Sequence, residues 1–463
     1  LFTELFSSEK LKGDGMVLEN ETINLLPDLL SILEDGFADL PPVEYSFDND
    51  RIRDVLKDVA KRMQDNYPYQ HPLYAGQMLK PPHPVARLAY ILSLWINPNN
   101  HALDGGRASS AMEKEAVAGI AAMFGWDSFL GHLTGGGTLA NLEALWISGK
   151  LHPGKLIVAS EQAHNTHQRI TEVLKIPFQK IACDARARMD LNALEDILKQ
   201  GKTGTVVVTV GTTGTGSVDP LPDILELRKK YPFRIHVDAA YGGYFKIAGN
   251  LASEARSAFD SIAEVDSIVV DPHKHGLQPY GAGCVLFRDP TLGKYYKHDS
   301  PYTYFSSKDL HLGEISLECS RAGASAVALW ATQKLLPMIP GGEFAKGLER
   351  GREAALELYR RLKNDPRFRT IFEPELDILI WSAAGNDPET VSLNSQKFFD
   401  IAAEKHLHLA LLQLPAEIWH PAWDDTCSIE GSLTVLRSCL MKPEHLDWVE
   451  DIWNIIDQTM EAI

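Results

Sequence analysis

Five short runs rich in β-branched residues punctuate the middle of the chain: LIVAS (156–160), TVVVTV (205–210), RIHVD (234–238), SIVVD (267–271) and GCVLF (283–287). Strands of this kind need cover on both faces, unlike a sheet with one side in water. The helical stretches between them supply that cover, so a largely parallel sheet wrapped by helices is expected from about residue 130 to about residue 290. Asp190 and Gly201 bracket one intervening helix at its cap positions. The next, around 220–230, opens with Pro-Leu-Pro-Asp and closes with Arg-Lys-Lys, matching the polarity of a helix dipole.

The flanks read differently. Residues 1–105 carry expected helices at 20–35, 49–65 and 84–95, separated by turn-rich pieces such as Pro41-Pro42 and Pro81-Pro82, and form an expected arm. Ser110-Ala111-Met112-Glu113 has capping-box spacing and predicts a helix start at Ser110, with Val117, Ile120 and Phe124 on one face and Gly125 as its stop. Past Pro340-Gly341-Gly342, a charged amphipathic helix (343–363), strands at 376–382 and 432–438, and a last helix predict a smaller C-terminal α/β domain. The expected units are therefore 1–105, 106–340 and 341–463, more than one ordinary core in 463 residues.

A net charge of −17 with no long basic stretch opposes binding to nucleic acid or an acidic bilayer, so a small molecule is the expected partner. No apolar run approaches the roughly 20 residues that span a membrane. The five cysteines form no CxxC pair, and with no secretory pattern at the first residues they predict neither a disulfide framework nor a zinc site, and a cytoplasmic setting.

In an open parallel sheet, ligands bind beyond the carboxyl ends of the strands. His164 stands four residues past LIVAS, Thr209 closes the TVVVTV run with Gly211-Thr212-Thr213 behind it, Asp238 ends RIHVD, and Lys274 comes three residues after SIVVD. Thr134-Gly135-Gly136-Gly137-Thr138 precedes another helical run, where exposed N–H groups can surround a phosphate. Singly, each has a plain explanation: a tight turn, a strand-end salt bridge, a surface lysine. Together, an amine, an acid and a phosphate cradle are what an aldehyde cofactor requires, with Lys274 forming the Schiff base and Asp238 keeping a pyridinium nitrogen protonated.

The segments LTGGGTLANLEAL, SEQAHNTHQRI, TVGTTGTGSVDP, IHVDAAYGGYF, DSIVVDPHKHGLQPYGAGCVLFRD and LECSRAGASAVALWA, in this order, resemble the signature of the group II pyridoxal-phosphate-dependent amino acid decarboxylases. That family includes glutamate, cysteine-sulfinate, aromatic amino acid and archaeal tyrosine/aspartate decarboxylases, and the resemblance runs from about residue 70 to the end. It implies the aspartate aminotransferase fold (fold type I) and a homodimer with its active sites at the subunit interface. It implies pyridoxal 5′-phosphate on Lys274, Asp238 at the pyridine nitrogen, Ala240 and His164 on opposite faces of the ring, and Gly136, Gly137 and Thr138 at the phosphate. Thr209 and His273 join the cofactor contacts, and Ser320 is expected to reach the partner's phosphate. Gln77 and Arg437 match substrate-binding positions, and Tyr304, or Tyr302, the loop tyrosine that returns a proton. In two places the chain departs from the pattern: Asp271 stands where many animal and plant members have Asn, and Leu139 where an acidic residue often follows the phosphate-binding hydroxyl.

The expected activity is removal of the α-carboxylate of an L-amino acid as CO2, leaving an amine. Alternatives are a carbon–carbon lyase similar to sphingosine-phosphate lyase, an aminotransferase, a metal enzyme using His164, His167, His273 and His275, and a non-catalytic dimeric scaffold. Gln77, Lys80 and Arg437 could receive an acidic side chain, and Tyr74, Trp95, Tyr302 and Phe305 could wall an aromatic pocket.

Overall fold

All five β-branched runs become strands of one seven-stranded sheet in the computed structural model, which describes residues 18–297, 311–385, 387–419 and 431–463. The strands are β1 (Leu130–Thr134), β2 (Leu156–Ser160), β3 (Phe178–Ile181), β4 (Thr203–Thr209), β5 (Arg234–Asp238), β6 (Ser267–Val270) and β7 (Gly283–Phe287), in the order β1-β7-β6-β5-β4-β2-β3. Only β7 opposes its neighbours, so the other strands all end on the same side. Every residue of β4, β6 and β7 is buried, as expected of strands covered on both faces. β1 (LGHLT) and β3 (FQKI) escape a search for β-branched runs because they mix small, polar and apolar residues.

An outer arm consists of α1 (Leu26–Asp35), α2 (Asn49–Met63) and α3 (Pro84–Ser93), and α4 (Arg107–Met123) leads from it to β1. The sheet is covered by α5 (Gly137–Leu151), α6 (Thr166–Leu174), α7 (Leu191–Leu198), α8 (Leu221–Lys230) and α9 (Ser253–Asp260). Asp190 caps α7, accepting from the Ala193 N–H at 2.7 Å. A further helix, α10 (Ala324–Leu335), packs against α3 and α4.

The helix start expected at Ser110 is a turn late, because α4 begins at Arg107. Glu113 caps nothing. It is buried, accepting from the Leu133 N–H at 3.0 Å, Asn100 Nδ2 at 2.6 Å and Arg321 Nη1 at 2.8 Å. Arg321 also donates to the Leu133 carbonyl, so one buried ion pair ties α4 and β1 to the segment before α10. The spacing imitated a cap while the carboxylate served a tertiary contact.

The C-terminal part holds an antiparallel sheet in the order β10-β11-β9-β8, from β8 (Phe368–Arg369), β9 (Ile378–Ala383), β10 (Ala410–Pro415) and β11 (Ser432–Cys439). Packed on it are α11 (Glu343–Asn364), α12 (Pro388–Glu404), the short α13 (Ala416–Trp419) and α14 (His445–Met460). Trp381 fixes this second core, its ring edge-on to Phe398 at 5.0 Å and Phe368 at 5.6 Å. The stretch Leu73–Ala75 joins the same unit: the Ala75 N–H donates to the His408 carbonyl at 2.8 Å and the His408 N–H to that of Leu73 at 2.9 Å. Among the described residues, no helix is long and apolar enough to cross a membrane.

Replacing Arg321 by Met strands Glu113 as a buried carboxylate without its cation. We expect a loss of about 3 kcal/mol or more in unfolding free energy, read as a lower urea midpoint at unchanged slope, and partial recovery when Glu113→Gln is added.

Candidate active site

A cleft of about 570 Å3 opens where β1, β2, β4, β5 and β6 end. Its floor at β1 is the glycine run. Gly136 has φ +148°, and Gly137 starts α5, whose first N–H groups have no partner within the helix. The packing leaves no room for side chains here: a Cβ on Gly137 would lie 2.7 Å from Asp271 Oδ2, and one on Gly283 2.5 Å from the Gly136 carbonyl carbon. The Thr138 hydroxyl completes the cradle and lies 3.2 Å from Thr166 Oγ1.

Lys274 follows β6 on a tight turn, its N–H bonded to the Asp271 carbonyl at 2.9 Å, and Nζ lies 3.1 Å from Asp271 Oδ2. The carboxylate that departs from the common pattern therefore faces the lysine and the glycine cradle together, and its second oxygen, Oδ1, is buried without a partner. His273 stands beside it, Nδ1 2.6 Å from the Ala282 carbonyl and Nε2 3.6 Å from Asp271 Oδ2.

Asp238 ends β5, 5% exposed. Burial alone would raise its pKa, but the hydrogen bond and charge of His167, the charge of Lys274 and the Ala240 N–H outweigh that and hold the carboxyl well below its ordinary value. His167 Nε2 is 2.8 Å from Asp238 Oδ2, and the Ala240 N–H donates to Oδ1 at 3.1 Å. Asn141 adds a longer contact of 3.4 Å to Oδ2, and its own amide oxygen lies 2.8 Å from His236 Nε2. Burial pushes His236 down to about 3, so it sits there as a neutral ring.

His164 lies between β2 and α6 and lines the cleft, its Nδ1 accepting from the Thr166 N–H at 3.2 Å. Burial first, then the neighbouring Lys274, lowers its pKa against the opposing pull of Asp238, which favours a neutral ring. Thr209 ends β4 with its hydroxyl buried and unpartnered. Ala240 also lines the cleft.

Arg437 on β11 is 5% exposed and reaches across from the C-terminal sheet, donating to the Thr213 carbonyl at 2.9 Å and to Gln77 Oε1 at 2.9 Å. The two expected substrate residues thus meet each other and touch the cleft through Thr213, which lines it. Ser320 is not among the lining residues, and its hydroxyl accepts from Asn99 Nδ2 at 3.1 Å. Its neighbour Glu318 takes the Gly135 N–H at 3.2 Å. Lys80 lines a different cleft, and Trp95, 58% exposed, lines none of the described ones. Tyr302, Tyr304 and Phe305 lie outside the described residues.

His167 is the residue beside Asp238 that the sequence names only in the metal-enzyme alternative. Its three-residue offset from His164 permits a shared helix face, but α6 begins at Thr166, so His164 precedes the helix while His167 turns inward to Asp238. Among the described residues, no group of three or more His, Cys, Asp or Glu side chains could hold a metal ion. The signal that could have found it was position: an imidazole one helical turn beyond the end of β2 comes level with the acid that ends β5.

The residues present fit pyridoxal 5′-phosphate. A glycine cradle that a Cβ would fill, the unpartnered Thr209 hydroxyl, a lysine amine and an ionised carboxylate all border one cleft.

Comparison with known proteins points the same way. The family described as the pyridoxal-dependent decarboxylase conserved domain matches residues 36–383. The chain is 27% identical to L-tyrosine decarboxylase of Enterococcus faecium, covering 68% of each protein. It is 30% identical to a probable L-tyrosine/L-aspartate decarboxylase of Methanothrix thermoacetophila, over 62% of this chain and 71% of the relative. Among solved structures, Oryza sativa TDC with PLP and tryptamine superimposes with a TM-score of 0.77 at 17% identity, covering 96% of this chain and 99% of that one. Mouse CSAD gives 0.74 at 18% identity, over 94% and 93%. At these identities the structures establish the fold.

Gly137→Ala drives a methyl group into the Asp271 carboxylate beside the cradle. We expect the folded variant to bind pyridoxal 5′-phosphate about 5- to 150-fold more weakly, an added-methyl clash of about 1–3 kcal/mol, measured by equilibrium dialysis against the wild type.

Proposed function

The chain belongs to the pyridoxal-dependent decarboxylase family, and on that premise we propose that it converts L-tyrosine to the corresponding amine and CO2, with Lys274 as the residue that carries the coenzyme. The reading rests on one observation: the Lys274 amine and the ionised Asp238 carboxylate border the same cleft as the glycine cradle. When bound, the coenzyme supplies an electron sink for the pair left by departing CO2.

The chain's own residues hold and orient. Gly136, Gly137 and Thr138 offer backbone N–H groups and a hydroxyl to the phosphate. Asp238 keeps a proton on the ring nitrogen, and His167 is the positioning residue that fixes and sustains that carboxylate. His164 and Ala240 serve as the two faces of the ring slot, and the free hydroxyl of Thr209 and the ring of His273 complete its edge. Among the described residues, Arg437 donates only to oxygen acceptors of Thr213, Gly76 and Gln77 and forms no ion pair, and its Nε is buried without a partner, so its charge can serve a substrate carboxylate. Tyr304, or alternatively Tyr302, is proposed to return the proton to the substrate carbon, and Ser320 to face the partner's cofactor.

Aromatic rings gather beside Gln77. Tyr74 accepts from the Gln77 N–H at 3.3 Å and is surrounded by Tyr67, Tyr69 and His408, while Tyr280 lines the cleft itself. Tyr280 and Tyr241 on the cleft lining suit a tyrosine side chain, in keeping with the relatives named above. L-aspartate is the second reading, favoured by the charge of Arg437, which no carboxylate among the described residues pairs.

A homodimer is part of the proposal. No residue of α1 or α2 is buried, yet Ile32, Ile52, Val55, Leu56, Val59 and Met63 stand exposed, an apolar surface that calls for a second chain. The four described cysteines are free thiols, which suits the proposed cytoplasmic setting.

A panel of L-amino acids offered to the enzyme should yield CO2 and amine in equal amounts, fastest from tyrosine; aldehyde or keto acid in place of amine would instead indicate the lyase or aminotransferase alternatives. His167→Gln should lower kcat by about 10- to 100-fold with little change in KM. With that partner weakened, burial dominates and the Asp238 pKa rises, so the acidic limb of the kcat profile should move to higher pH.

A further inference from the structure

A second cleft, of about 460 Å3, shares no lining residue with the coenzyme cleft. It lies where the start of α3, the start of α11 and the turn before α14 meet, beside His275 of the β6 loop. Its cations are Lys80, Lys346, Arg350 and Lys442, set against Glu343 and Glu444. Arg350 is neutralised by Asp447 at 2.6 Å. The lysines are not. Lys442, 3% exposed, donates to the Tyr74 carbonyl at 2.6 Å, and half-buried Lys80 to the Met441 carbonyl at 3.3 Å. Among the described residues, neither these two nor Lys346 forms an ion pair with a carboxylate.

Taking an ammonium group out of water without a counter-charge is costly. Burial pushes Lys80 down to about 8 and Lys442 to about 7, with Asp377 and Glu444 giving Lys80 only partial relief. His275 adds an independent sign. It lines the cleft 1% exposed, and neither ring nitrogen has a hydrogen-bond partner, although Nε2 lies 3.2 Å from Asp377 Oδ2. The helices α11 and α14 also begin at this cleft with no side-chain cap, leaving their first N–H groups and positive dipole ends toward its lining segments. Pro81, Pro82, Leu277, Leu336 and Phe344 give the remaining wall an apolar character.

We propose that this cleft is a binding site for a small organic anion, a compact apolar body with a carboxylate or phosphate head that Lys80, Lys346 and Lys442 would neutralise. It is separate from the site of decarboxylation, and nothing in its chemistry requires turnover.

The test is isothermal titration of the coenzyme-loaded enzyme, without amino acid, with phenyl phosphate, phenylacetate and neutral benzyl alcohol. The expected result is one saturable site per chain for an anion and none for benzyl alcohol, and the tighter anion identifies the head group. Lys80→Met and exposed Lys346→Glu should each weaken binding at least about tenfold, while Arg437→Gln should leave it unchanged. Absence of saturation by either anion would overturn the proposal. So would undiminished binding in both lysine variants, and so would loss of binding in Arg437→Gln, which would put the anion in the coenzyme cleft. Because no turnover is involved, failure here would leave the decarboxylase reading standing, and the converse holds.

Discussion

A carboxylate buried at the end of a parallel strand must be given protons to accept or it will take one up itself, and Asp238 is given them from every side. His167, the Ala240 N–H and the more distant Asn141 converge on its oxygens, and Lys274 adds charge across the cleft. These donors come from α6, from the turn after β5 and from α5, so the ionised state of one side chain depends on the sheet and its covering helices being assembled. The glycine cradle obeys a matching constraint. Gly137 can approach Asp271 only because it lacks a Cβ, and Asp271 in turn holds Lys274. Acid, amine and cradle are one packed unit.

The C-terminal sheet and its helices are bound into that unit. Arg437 passes from β11 to Thr213 and Gln77, and the Tyr241 hydroxyl, on the wall of the coenzyme cleft, donates to Asp377 at 2.6 Å. Residues 73–75 share backbone hydrogen bonds with the segment before β10 and with Cys439 at the end of β11, carrying Gln77 to its place opposite Arg437. The proposed substrate recognition would thereby be shared between an N-terminal segment and a strand some 360 residues later in the chain.

Much of this was legible in the residues. The central strands announced themselves because burial on both faces selects Val and Ile at successive positions, and the placing of Asp238, Lys274 and Thr209 followed from where those runs stop. Strands β1 and β10 were hidden: the first sets Gly and His between its leucines, and the second, at a sheet edge, carries the half-exposed Leu411 and Leu412 and the exposed Gln413. Ser110 and Glu113 misled because a capping box and a buried ion pair can share one spacing. The partnership of His167 with Asp238 was not visible, since an i,i+3 relation to His164 gives a spacing but not where a helix begins. The partnership between Asp271 and Lys274 was half visible, the sequence showing a carboxylate where it needed donors but not that the lysine itself was the donor.

Lys274, and no other amine, is proposed to carry the coenzyme opposite Asp238. Borohydride reduction of the loaded enzyme, followed by proteolysis and mass mapping, tests this directly. The account predicts a reduced pyridoxyl group on the peptide containing Lys274, in a yield of one per chain, and none in Lys274→Ala. A pyridoxyl group found instead on Lys80, Lys442 or a surface lysine, or a wild-type enzyme that retains none, would contradict it.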